Sequence, residues 1–178
     1  MLSRHSLITV LILFLLLIAP GVSISQEIWE SYETDCCTIQ YYDEEQLTEF
    51  AFRVGGIRYT SNGLDGDIET TGYRVDEIME KVSNTLDMYP EEVIITILLY
   101  PDHDSLGEIF REITQEEYVP LAFYSHSTES IHVDASSFTE GILAHEMAHA
   151  IINIYYDEPL PAKTQEILAQ YVDKHLWD

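Results

Sequence analysis

The sequence predicts a single α+β domain, and three observations carry that reading. Residues 38–42 alternate (Thr-Ile-Gln-Tyr-Tyr) and residues 93–100 are a β-branched apolar run, so strands are present. Three other stretches, near 71–88, 138–156 and 162–176, repeat apolar residues at helical spacing. No internal repeat or low-complexity segment divides the 178 residues, a length that suits one domain.

The first residues stand apart. Arg4 and His5 give a short polar start, and residues 7–19 are almost unbroken apolar, too short to span a bilayer comfortably. Ser23 and Ser25 supply small residues at a cleavage site. Together they read as a secretory signal peptide over residues 1–25, leaving a domain of residues 26–178 that is secreted or extracytoplasmic, in a periplasm or at a cell surface. The alternative is an uncleaved anchor, with Val22 and Ile24 extending the apolar run; only then is a membrane a partner.

Residues 26–35 are acidic and polar and read as a loose lead-in, followed by the strand at 38–42. Residues 43–54 fit a helix through Leu47, Phe50, Ala51 and Val54, and fit a hairpin through Phe50, Phe52 and Val54; the helix is the reading adopted. Asn62, Asp65 and Asp67 lie in a Gly/Asp/Asn loop whose spacing is wrong for a calcium motif. Val75, Ile78, Met79, Val82 and Leu86 mark a backing helix stopped by Pro90. The run at 93–100 reads as a buried central strand, and Asp104 or Ser105 caps a helix reaching about Ile113. Residues 121–124 and 131–134 read as two strands joined by a polar turn. Ser137 and Glu140 form a capping box, which starts the next helix at about Phe138. Its apolar stripe is Leu143, Met147, Ala150, Ile151 and Ile154. Pro161 opens a last helix whose apolar contacts come from Ile167, Leu168, Tyr171, Val172 and Leu176.

The formal charge is −24, from 32 acidic against 8 basic residues. Phosphate binding needs the opposite sign, so nucleic acid is excluded as a partner and anionic membrane surfaces are poor ones. Cys36 and Cys37 are adjacent, without metal-ligand spacing. Neighbours pair only with strain, so no intramolecular staple is implied; free thiols, a bond between chains, or simple packing all remain open, and no role is assigned.

His145-Glu146-Met147-Ala148-His149 is H-E-x-x-H within a predicted helix. Histidines four apart stand on one face, about 6 Å apart at Cβ, so both imidazoles can reach one zinc ion at about 2.1 Å. Glu146 sits beside the open coordination position, where a carboxylate can take a proton from metal-bound water. A zinc enzyme needs a third protein ligand. Asp157, Glu158, Glu166, Asp173 and His175 follow the motif. Asp157 and Glu158 would need a sharp reversal after the helix, and the third histidine of the longer metzincin motif falls on Tyr155. Glu166, on the next helix, can be brought against the histidines by an antiparallel turn.

The stretch 142–172 resembles the gluzincin metallopeptidases, in particular the peptidase-MA-like group, with H-E-x-x-H, a Leu160-Pro161 loop, then Glu166-Ile167-Leu168-Ala169-Gln170-Tyr171. By that resemblance the fold is a minimal zincin-like domain: a small mixed sheet over an active-site helix and a glutamate helix. His145, His149 and Glu166 bind zinc, and Glu146 is the general base of a peptidase acting on a peptide or protein. Residues 131–134 would be the substrate-facing strand. The sequence departs from the family at Ile167, where a glycine is usual, and at Gln170, where larger relatives carry an acid that orients a zinc histidine. The family's oxyanion-stabilising residue has no assigned counterpart; His175, Tyr171, Tyr124, His126 and His132 are the groups present, the histidines reading as packing or surface residues. The competing function is a catalytically inactive, secreted zinc-binding interaction domain.

Overall fold

The computed structural model of the protein describes residues 29–55, 59–60, 63–64, 68–91 and 93–178. The expected signal peptide over 1–25 lies outside them, as do Asn62, Asp65 and Asp67. No helix among the described residues is long and apolar enough to cross a membrane.

The fold is α+β. In chain order the elements are β1 (Glu30–Glu33), β2 (Cys37–Tyr41), α1 (Glu44–Gly55), β3 (Tyr59–Thr60), β4 (Gly63–Leu64), α2 (Ile68–Leu86), β5 (Ile95–Tyr100), α3 (His103–Thr114), β6 (Ala122–Ser125), β7 (Ser130–Asp134), α4 (Glu140–Tyr155) and α5 (Ala162–His175). Five strands form one mixed sheet in the order β1-β2-β5-β7-β6. The inner three are parallel, with Cys37 beside Ile95 and Ile97 beside Ile131; β1 and β6 run antiparallel at the two edges. The short β3 and β4 pair only with each other.

Alternation along the inner strands divides the apolar residues between two faces. Ile39, Ile95, Ile97, Leu99, Ile131 and Val133 point into the main core, where they meet Leu47, Phe50, Val75, Ile78, Val82, Leu143, Met147 and Ile151 from α1, α2 and α4. Val172 and Ala169 of α5 close this layer. On the opposite face α3 sets Leu106 and Phe110 on Tyr100 and Phe123. Every residue of β7 is buried, as expected of a strand covered on both faces.

Three local expectations change. Residues 30–33 are an edge strand, not a loose lead-in: β1 pairs with β2 along its length, and the Trp29 ring packs at a tilt on Tyr42, 3.9 Å between ring centroids. Its acidic side chains suit an exposed edge, where charge discourages further pairing. Helix α3 is capped two or three residues earlier than expected, because Asp102 accepts the Ser105 N–H at 2.8 Å. The capping box at 137–140 does not form. Thr139 caps α4 by accepting the Ile142 N–H at 3.3 Å, and Glu140 is drawn instead to Arg74 of α2 at 2.9 Å.

His132 illustrates the second face. It is 4% exposed, lies parallel to Phe123 at 4.6 Å, and shares hydrogen bonds with Tyr100 Oη at 3.0 Å and Ser130 Oγ at 3.1 Å. Burial pushes its pKa down to about 4. The unfolded chain takes up a proton near pH 6.5 that the folded chain refuses until about 4, so stability is full above 6.5 and is lost as the pH falls through that window. The difference is about 3 kcal/mol. Denaturant titrations between pH 7 and 4 should therefore show a smaller loss of stability for His132→Phe than for wild type, by about that amount; parallel curves would contradict it.

Candidate metal centre

Helix α4 carries the motif. Its inward face, Leu143, Ala144, Met147, Ala148, Ala150 and Ile151, is buried, whereas Ile154 is exposed near its end. His145, Glu146 and His149 therefore flank the buried stripe, half-buried. Tyr156 to Pro161 form a short loop that returns the chain as α5. The loop is fastened at its far end: Pro161 O accepts the N–H groups of Thr164 and Gln165, and Gln165 Nε2 donates to Leu160 O at 2.8 Å.

The buried face of α5 is Gln165, Ala169, Val172 and Leu176. Ile167 and Tyr171, expected as core contacts, are 57% and 50% exposed. Ile167, where the resemblance would place a glycine, thus faces solvent. At Gly141 a Cβ would meet the Asp173 carboxylate, which places the end of α5 against the start of α4.

This packing brings together the three side chains that the spacing singled out. His145 Nε2 and His149 Nε2 are 3.3 Å apart; Glu166 Oε2 lies 3.5 Å from the first and 3.7 Å from the second. A tetrahedral cation at about 2.1 Å from each ligand separates its donor atoms by roughly 3.4 Å. These are the only His, Cys, Asp or Glu side chains among the described residues that cluster closely enough for a metal ion. Two imidazoles and a carboxylate suit several divalent transition metals. Asp157 and Glu158 lie exposed in the loop, and His175 stacks on Tyr171; none of the three joins the cluster.

Two amides stand beside the donors. Gln165, whose Nε2 is taken by Leu160 O, lies close enough to the His149 side chain to favour its protonated form. Gln170 donates to Glu166 Oε1 at 2.7 Å rather than to a histidine, and leaves Oε2 turned toward the imidazoles. Burial, followed by the neighbouring His145, depresses the His149 pKa, keeping the ring neutral and able to coordinate. Partial desolvation works to raise the Glu166 pKa, but Gln170 and the two histidines outweigh it and hold the carboxyl below the usual range.

Glu146 has the opposite environment. Desolvation raises its pKa to about 8, the Glu166 charge adds to the rise, and a hydrogen bond from the Tyr124 backbone N–H at 2.8 Å opposes it. Tyr124 is itself held by Asn153, whose amide donates to its hydroxyl at 2.9 Å. A hollow of about 340 Å³ opens beside them, lined by Ile94, Tyr124, Glu129, Asn153 and Ile154 among others. His126 is exposed and edge-on to Tyr124, whereas His132 is buried on the far face of the sheet.

Sequence reasoning missed Gln165 and the Tyr124 N–H. Gln165 precedes a singled-out glutamate at a position whose burial shows only once α5 is docked. A backbone donor has no residue signature at all. No family model matches the chain, and neither the curated proteins nor the solved structures offer a match.

The Glu146 shift has a consequence in metal-free protein. The folded state holds a proton on Glu146 up to about pH 8 that the unfolded chain releases near 4.5, so stability is lost as the pH rises through that window. Glu146→Gln keeps an acceptor for Tyr124 without the charge. The stability difference between variant and wild type should grow in the variant's favour from pH 4.5 to 8. A constant difference across that range, measured with chelator present, would show that burial does not act on this carboxyl.

Proposed function

We propose that this protein is an extracytoplasmic zinc-dependent peptidase of minimal size, with His145, His149 and Glu166 as metal ligands and Glu146 as general base. The observation that carries the reading is the tetrahedral spacing of three donor atoms beside a desolvated carboxylate. The H-E-x-x-H order, with the third ligand on the following helix, favours zinc among the metals this donor set suits. When bound, zinc supplies Lewis acidity, activating water and polarising a carbonyl oxygen.

The protein's own groups do the rest. Gln170 fixes the orientation of Glu166, so the third ligand is turned toward the two histidines before metal arrives. Glu146 Oε2 is occupied by the Tyr124 N–H, which fixes the carboxylate and leaves Oε1 to receive a proton from the attacking water. Its raised proton affinity suits the second half of the reaction, handing that proton to the leaving amine.

The substrate strand expected at residues 131–134 is corrected by the sheet order. Strand β7 lies between β5 and β6 and has no free edge; the exposed edge next to Glu146 belongs to β6. An extended peptide substrate therefore adds beside Ala122–Ser125.

Metal analysis of the purified protein should find one equivalent of zinc. Gln170→Leu should weaken zinc affinity by about 10–100-fold, and Glu166→Ala by more, since an outer partner of a ligand is worth that range and a ligand exceeds it. Glu146→Gln should retain the zinc and lose peptide hydrolysis by about 10²–10⁴-fold on an unstructured protein substrate. Wild-type protein that holds stoichiometric zinc yet leaves a panel of such substrates intact, with and without chelator, is an inactive zinc-binding domain instead. Protein without stoichiometric zinc refutes both.

A further inference from the structure

We propose that Cys36 and Cys37 are a redox-modification site: a vicinal dithiol that closes to an intramolecular disulfide by exchange with a small aliphatic disulfide. The inference does not depend on the metal centre. Within a strand, successive side chains point to opposite faces. Cys36 precedes β2 in a bend, and Cys37 is the first residue of the strand, so the two side chains are free to converge. Their Sγ atoms stand 2.6 Å apart. Non-bonded heavy atoms rest at about 3.5–4.0 Å, and a disulfide bond spans about 2.05 Å.

The bend that makes the sulfurs converge is braced on several sides. Asp76 of α2 accepts the Thr34 hydroxyl at 2.7 Å, the Cys36 N–H at 3.0 Å and the Asp35 N–H at 3.2 Å. Thr34 Oγ1 accepts the Cys37 N–H at 3.0 Å, and the Ile95 N–H donates to Cys36 O at 3.0 Å. A turn held by five hydrogen bonds keeps the pair facing each other through the reaction.

Exposure sets the order of events. Cys36 is half-buried and reachable, whereas Cys37 is 1% exposed. The adjoining Cys36 sulfur and then burial push the Cys37 thiol up, so Cys36 is the group that meets an outside reagent. Cys36 gives its proton to solvent, and its thiolate attacks one sulfur of the small disulfide, expelling one thiolate. Cys37 then loses its proton and attacks the Cys36 sulfur of the mixed disulfide, expelling the second thiolate. The two departing thiolates take up two protons. Two electrons pass from the cysteine pair to the small disulfide, and one sulfur–sulfur bond is exchanged for another.

The test uses the reduced protein, freed of reductant and mixed with excess oxidised glutathione at mildly alkaline pH, then quenched with acid. Intact mass should fall by two hydrogen atoms with no adduct, and both thiols should be lost to alkylation after denaturation. Peptide mapping should recover residues 36 and 37 in one oxidised fragment. A glutathione adduct that persists on wild type, a covalent dimer, or two thiols still alkylatable after denaturation each overturns the proposal. Cys37→Ser lacks the resolving thiol and should accumulate one glutathione adduct on Cys36; failure to form that adduct removes Cys36 as the attacking group.

Discussion

The register of α5 against α4 is the constraint on which the candidate metal centre rests. Two of the donor atoms belong to α4 and the third to α5, and a helix advances about 1.5 Å per residue. Metal sites tolerate errors of about 0.2 Å, so a slip of one residue would separate Glu166 from the histidines. Fastenings at both ends of the pair resist that slip. At one end Gln165 ties α5 to the loop through Leu160 O. At the other, Asp173 lies against Gly141, and Trp177 packs beneath the Arg74 guanidinium at 4.1 Å. Arg74 also holds Glu140, the first residue of α4, so one buried-stem cation links the start of α4, the end of α5 and α2 behind them.

Within this frame two carboxylates on neighbouring helices are driven apart in proton affinity. Glu146 sits between α4 and the edge strand, loses water, and holds its proton to about pH 8. Glu166 is 48% exposed on its side chain, keeps water, and gains an amide and two imidazoles that favour its ionised form. Separated affinities of this kind divide roles: one group is suited to exchanging protons, the other to remaining an anionic ligand. The neutral amide of Gln170 orients Glu166 without adding charge to a chain already at −24.

What could be read from the sequence was what depends on local geometry. His145, Glu146 and His149 share a helix, and their relation follows from helical spacing alone. Glu166 was reachable because a loop of a few residues forces two helices antiparallel. The features that escaped depend on partners distant in the chain. Strand β1 has no alternating pattern of its own; it is ordered by backbone pairing to β2 and by Trp29 on Tyr42. Glu140 had a local partner in the expected capping box, but Arg74 offers a full charge and two N–H donors, and the longer-range pair prevails. On α5, Val172 and Leu176 are buried as expected, but Ile167 and Tyr171 are apolar and Gln165 is polar, whereas docking buries the amide and leaves those two larger side chains in water.

The sheet order was equally hidden, and it decides how a peptide could approach. Chain order alone makes β7 the last strand before α4, yet the β6–β7 hairpin inserts β7 between β5 and β6. The edge is therefore β6, and it is short. In an antiparallel pair alternate residues turn both N–H and C=O toward the partner. Asp134 N–H bonds Leu121 O, so Leu121, Phe123 and Ser125 face β7, and Ala122 and Tyr124 face outward. The Tyr124 N–H is taken by Glu146. What remains for an added strand is the Ala122 N–H and C=O and the Tyr124 C=O, a frame too brief for sheet-to-sheet aggregation but sufficient to set the direction of one extended peptide. Because the Tyr124 N–H within that frame is bonded to the Glu146 carboxylate, a peptide backbone seated there, on the proposed reading, would lie directly beside that carboxylate.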